Sequence, residues 1–131
     1  MIFCIEDFKR EAERIGHKNS YKDLDEEIIS NFFNKTFEEV ISGRRLNQDS
    51  KRPYIKKRLA GRGGYRIYLL AYIEKKLIYL LFIHPKTGSE GSENITDEYK
   101  ALLLKNLVNS LKSGNIYKVN ATKDNKLEYI K

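Results

Sequence analysis

The chain has 131 residues, with 25 Lys and Arg against 18 Asp and Glu, a formal net charge of +7 and one cysteine. A length of this order supports one domain around one modest core, so residues 1–131 are expected to form a single domain. The lone Cys4 excludes a disulfide framework or a cysteine-rich zinc site within one chain. The opening Met1 to Ile5 meets acid at Glu6 and Asp7 before it has the length of a secretory signal or a membrane helix, which points to a soluble, cytoplasmic protein.

In chain order, Ile2 to Ile5 reads as a short edge-type strand, with Cys4 a buried, inert thiol. Phe8, Ala12 and Ile15 recur at helical spacing up to Gly16, which suits a helix stop. Ser20 with Asp23 resembles a capping arrangement ahead of a second helix, whose apolar stripe is Leu24, Ile28, Ile29, Phe32 and Phe33. Thr36 and Glu39 form a capping box for a short third helix through Val40 and Ile41 to Gly43.

From Lys51 the period changes. Tyr65 to Ile73 and Leu77 to Ile83 are rich in Tyr, Ile and Leu, and Glu74, Lys75 and Lys76 between them make a polar turn, so the two runs predict an antiparallel hairpin. Pro85 ends the second strand, and Thr96 caps a helix with Tyr99, Leu102, Leu103, Leu107, Val108 and Leu111 on its apolar face, closed by Ser113 and Gly114. Ile116 to Val119 and Leu127 to Ile130 are either added strands at the sheet edge or a tail that orders on a partner. The expected architecture is α+β: an antiparallel sheet of four or more strands, with N-terminal helices and a C-terminal helix packed on one face and the other face partly open.

The charge is unevenly placed. Residues 51–66 carry seven Lys and Arg and no acid, against eight basic and eleven acidic residues in 1–50. Such a block repels itself and is tolerated best where an anionic partner offsets it, although a solvated face that binds nothing is the plain alternative. Strand alternation sends Lys56 and Arg58 to one face and Lys57 to the other with Ile55 and Leu59. Gly61, Gly63 and Gly64, with Arg62 between them and Arg66 after, suit a loop that brings backbone amides to an anion; a tight hairpin would use the same glycines for steric reasons alone.

Cleavage of RNA by its own 2′-hydroxyl needs a proton acceptor, cations around the crowded phosphorus and a donor for the leaving oxygen. His17 follows a helix end in the acidic half and reads as structural, whereas His84 ends a strand beside Lys86, where it can overlook the same face as Arg66. Crowding by other cations can lower a lysine pKa, so Lys56 or Lys57 can do more than bind. Tyr54, Tyr65 and Tyr68 near the patch suit base stacking, though tyrosines in strands are more often half-buried packing residues. No histidine and carboxylate cluster has metal-ligand spacing, Glu90 and Glu93 read as solvated charges, and no phosphate-binding GxxxxGK[ST] occurs, so neither metal nor cofactor is expected.

The run Lys57-Arg58 through Arg62, Gly63-Gly64-Tyr65-Arg66 and Ile67-Tyr68, followed by the apolar strand Ile78 to Ile83, Lys86 and the helix Thr96 to Leu111, resembles the RelE/HigB superfamily of toxins from type II toxin-antitoxin systems. The resemblance implies a RelE-like fold and a ribosome-dependent endoribonuclease, an mRNA interferase cutting by metal-independent 2′-OH attack. Its partners would be mRNA, the ribosome and a cognate antitoxin protein, with no membrane. By position it implies Arg66 at the scissile phosphate, Lys57 or Arg58 as the basic residues before the glycine turn and Tyr99 near the substrate; from their own place in the chain, Lys57, His84 and Lys86 are further catalytic candidates and Lys56, Arg58, Arg62 and Tyr65, with Tyr99, RNA-binding ones. The spacing of Tyr99 with Leu102 and Leu103 favours a core position, and the family's arginine between last strand and helix has only Lys86 in its place. Two alternatives stay open: a ParE-type gyrase inhibitor of the same fold, and a non-catalytic nucleic-acid or ribosome-binding module.

Overall fold

The computed structural model describes residues 1–18, 21–60, 64–86 and 95–131; the expected Ser20 cap and the loop at 87–94, with Glu90 and Glu93, lie outside them. The elements run β1 (Ile2–Cys4), α1 (Glu6–Gly16), α2 (Leu24–Phe32), α3 (Phe37–Val40), β2 (Arg44–Arg45), β3 (Tyr54–Leu59), β4 (Tyr65–Tyr72), β5 (Leu77–Pro85), α4 (Asp97–Ser113), β6 (Tyr117–Ala121) and β7 (Leu127–Ile130). Local chemistry explains several boundaries. The Thr36 side chain accepts from the Glu39 backbone while Glu39 reaches back to the Thr36 amide, closing the expected capping box. Thr96 accepts from the Tyr99 amide to start α4, and Gly114 ends it in the left-handed conformation at φ 76°.

Among the described residues the strands form one sheet in the order β2-β3-β4-β5-β1-β6-β7. The expected β4–β5 hairpin is present and antiparallel. β1, however, runs parallel to β5, with Ile2 opposite Ile78, so the sheet is mixed rather than wholly antiparallel, and β1 lies inside it between β5 and β6 rather than at an edge. A parallel neighbour requires a long crossover, which α1 to α3 and β2 to β4 supply between β1 and β5. The C-terminal residues take the strand alternative: β6 pairs with β1, β7 pairs with β6, and Asp25 Oδ2 accepts from the Leu127 amide at 3.0 Å.

Helices cover both faces, which corrects the expectation of a single covered face. On one side Ile55, Leu59, Tyr65, Ile67, Leu69, Ile78, Leu80 and Ile83 pack against Phe8, Ala12 and Ile15 of α1, Leu24, Ile28 and Phe32 of α2 and Val40 of α3. On the other, Tyr54, Tyr68 and Leu81 pack against Leu103 and Leu107 of α4. The physical reason lies in β4 and β5, which are apolar nearly continuously rather than in alternation and so need cover on both sides. Between the pairs Tyr68↔Phe82 and Leu69↔Leu80 the register shifts, leaving Leu81 as an extra residue directed to the α4 side. The Tyr54 hydroxyl donates to the Lys100 carbonyl at 3.1 Å and ties α4 to β3. No helix of the described residues is long and apolar enough to cross a membrane.

Candidate functional site

Strand register on the α4 face aligns two rows across the sheet. Arg58 pairs with Arg66, which pairs with His84; one step along, Arg44 pairs with Lys56, Lys56 with Tyr68 and Tyr68 with Phe82. Neighbouring strands lie about 4.8 Å apart and alternate residues about 7 Å along a strand, so these side chains share a patch small enough for one ligand. Among the described residues the buried polar or charged side chains are Lys56, Arg66 and His84, at 7%, 7% and 6% exposure, and all three belong to these rows. Buried charge is costly unless something compensates for it, so its confinement to one patch singles that patch out as the candidate site.

His84 has a defined protonation state. Its Nδ1 lies 2.9 Å from the Pro85 carbonyl oxygen, which can only accept, so Nδ1 carries the proton and Nε2 presents a lone pair. That Nε2 is buried and has no hydrogen-bond partner among the described residues. Burial, aided by the nearby charges of Arg66 and Lys56, lowers the His84 pKa below the ordinary value, against a smaller raising effect of the Pro85 carbonyl. The ring stacks on Tyr68, with centroids 5.9 Å apart and 24° between planes, which fixes its orientation. The Tyr68 hydroxyl is also buried, and burial raises its pKa, against smaller lowering effects of the Ile95 backbone and the Arg66 charge. Lys56 is lowered from the usual lysine range by burial first, then by Arg66, Arg44, Arg58 and Lys100.

Of the residues singled out from the sequence, Arg66, His84, Lys56 and Arg58 come together here. Lys86 is exposed one residue beyond β5, at the same end of the sheet, where its amide donates to the Gly64 carbonyl at 2.9 Å. Gly64 has φ +78°, so the loop needs a glycine there. Tyr99 is half-buried and packs edge-on against Phe82, at 5.1 Å and 82°, beside the second row. Arg62, with Gly61 and Gly63, lies outside the described residues.

Two candidates lie away from this patch. Lys57 points to the α1–α3 side, as alternation requires, and its Nζ donates to the Glu39 carbonyl at 2.9 Å and to the Ser42 carbonyl and hydroxyl at 3.1 and 3.2 Å. It therefore satisfies carbonyls at the end of α3 instead of facing Arg66. Tyr65 is fully buried on that same side, its hydroxyl donating to Asp23 Oδ1 at 2.8 Å, and it offers no ring for stacking a base. Arg44 was not singled out, because a two-residue strand leaves no periodic signal; only its place one short loop before β3 hinted at pairing.

The assembled patch provides an acceptor of one proton, a lowered-pKa ammonium able to donate another, and guanidinium groups for a developing negative charge. No family model, curated protein or solved structure matches the chain.

Lys57→Ala is expected to destabilise the fold by about 1 kcal/mol in urea unfolding while leaving nucleic-acid affinity unchanged; a loss of affinity without destabilisation would return Lys57 to the site. His84 yields a pH prediction. Its folded pKa lies below the ordinary value near 6.5, so the unfolded chain gains the proton first as pH falls. The associated stability is complete above about pH 6.5 and is lost as pH drops through the folded value. Between pH 7.5 and 5 the urea midpoint should therefore fall further for the natural protein than for His84→Gln; equal falls would contradict a neutral, buried His84.

Proposed function

We propose that this protein is an endoribonuclease of the RelE/HigB kind, acting on mRNA at the ribosome and held inactive by an antitoxin that covers its cationic face. The observation that carries the proposal is the meeting of Lys56, Arg66 and His84, all buried, on one face of the sheet, with the His84 Nε2 lone pair unsatisfied among the described residues. A binding surface needs only exposed cations, whereas a recessed neutral imidazole beside guanidinium groups suits proton transfer.

In the proposed reaction His84 Nε2 takes the proton of the 2′-hydroxyl as O2′ forms its bond to the adjacent phosphorus. Arg66 and Lys56 stabilise the charge that accumulates on the non-bridging oxygens. The bond from phosphorus to O5′ then breaks, and O5′ leaves with a proton from the Lys56 ammonium, whose lowered pKa favours donation. The products are a 2′,3′-cyclic phosphate and a 5′-hydroxyl. His84 carries the proton gained and Lys56 lacks the one given, and solvent restores both.

The test is incubation of purified protein in a translating extract, with cleavage mapped by primer extension. The expected result is cut message with little effect on naked RNA, and at least a hundredfold loss of cleavage in Arg66→Ala with an unchanged circular dichroism spectrum. Intact transcripts at every concentration of the natural protein would overturn the proposal. If gyrase were inhibited instead, the ParE-type alternative would take its place.

A further inference from the structure

α4 carries more apolar surface than the sheet covers. Leu103 and Leu107 are buried, whereas Val108 and Leu111, on the apolar face that the sequence predicts, stay 49% and 46% exposed. At about 100° per residue, Leu104, Val108 and Leu111 make a second stripe along one flank of the buried pair. That flank overlooks a strip of the same sheet face where Leu70 and Tyr72 of β4 and Leu77 and Tyr79 of β5 are only half-buried. Helix and strip enclose an open groove of about 410 Å³. The cause is width: a sheet of seven strands at about 4.8 Å spacing is broader than the roughly 10 Å that one helix covers. Arg52 and Lys75 also line the groove, the Arg52 guanidinium 5.1 Å from the centre of the Tyr72 ring, and among the described residues the lining has no carboxylate.

We infer that this groove seats an amphipathic helix of a partner protein, with aliphatic side chains toward α4 and the sheet and acidic ones toward Arg52 and Lys75. Charge and shape select that occupant. A second copy of this chain would enter through the same α4 stripe, and Lys105 and Lys112, three residues before Val108 and four after it, would then meet Arg52 and Lys75. Like charges facing each other oppose that pairing. An extended segment would leave its amides and carbonyls unpaired over a sheet face whose strands already bond one another, whereas a helix satisfies its own. A bilayer is too flat, because the half-buried Tyr72 and Tyr79 lie below the exposed crest of α4. A helix packed beside α4 at the usual spacing of about 8–10 Å fills the strip. The groove lies at the Tyr72–Leu77 end of the β4–β5 hairpin, about 20 Å along β4 from the pairing of Arg66 with His84. The inference therefore does not rest on the nuclease reading, and failure of that reading leaves it standing.

The test uses the full chain and three synthetic peptides of about 18 residues, enough for about 27 Å of helix. The first places Leu on one helical face and Glu on the other, over an Ala background; the second has Lys for each Glu; the third has Ser for each Leu. Affinity is read by fluorescence anisotropy and the site is located by amide shifts of isotopically labelled protein. The first peptide is expected to bind with shifts centred on Leu70, Tyr72, Tyr79, Val108 and Leu111, and each control to bind at least tenfold more weakly. Val108→Gln with Leu111→Gln should weaken the first peptide at least tenfold with an unchanged urea midpoint, since both positions are exposed. Arg52→Gln should weaken it roughly threefold and flatten its salt dependence. Absence of binding by the first peptide, equal binding of either control, or shifts centred on Lys56, Arg66 and His84 would each overturn the inference. A dimer of the free protein in sedimentation that the double variant dissociates would overturn it in favour of a second copy. Binding to phosphatidylglycerol vesicles that the double variant loses would overturn it in favour of a membrane surface.

Discussion

The pairing of β3 with β4 decides what else this protein can do. With Lys56 opposite Tyr68 and Arg58 opposite Arg66, every cation of the patch falls on the α4 face, and Ile55, Leu59, Ile67 and Leu69 fall on the face of α1 to α3. A slip of one residue would turn Lys56, Arg58 and Arg66 into the larger core and expose that apolar set, so the register is held by burial on the helical side. The cost of crowding like charges on one face is thus offset by packing on the other. Lys57 shows how strict the alternation is: one residue from the patch, it serves α3.

α4 completes the arrangement by covering only part of its face. Leu103 and Leu107 press on Tyr54, Tyr68 and Leu81, and the Tyr54 hydroxyl anchors the Lys100 carbonyl. What α4 leaves recessed are the cross-strand rows, where low local polarity strengthens electrostatic effects. Burial holds His84 neutral and Lys56 prone to give up its proton, while Arg66, as a guanidinium, supplies a permanent charge. One environment thereby prepares an acceptor and a donor of protons within a single patch, a division of roles that enzymes use for acid and base chemistry near neutral pH.

Much of this was legible from the residues in order. Capping at Thr36 and Thr96, the helical stripes, the β4–β5 hairpin and the opposed faces of Lys56 and Lys57 all follow from local chemistry and period, which act over a few residues. The common face of His84 and Arg66 followed from the hairpin. Illegible were features set by distant pairing: β1 lying parallel to β5, the two-residue β2 that brings Arg44 to the patch, and the placing of α4 on the second face. The last had a signal in the unbroken apolar runs of β4 and β5, which call for two covering layers. Tyr65 was misplaced because its neighbours are basic, although alternation puts it with Ile67 and Leu69 in the core.

The central claim is that the two rows on the α4 face form one anion site around His84. It is tested most directly by titrating isotopically labelled protein with a short single-stranded 2′-deoxy oligonucleotide and following amide and imidazole nitrogen shifts. Changes should concentrate at Arg44, Lys56, Arg58, Arg66, Tyr68 and His84, with the His84 nitrogens reporting a proton on Nδ1 before ligand is added. Changes centred on α1 to α3, or a His84 protonated at Nε2 in the free protein, would contradict the account.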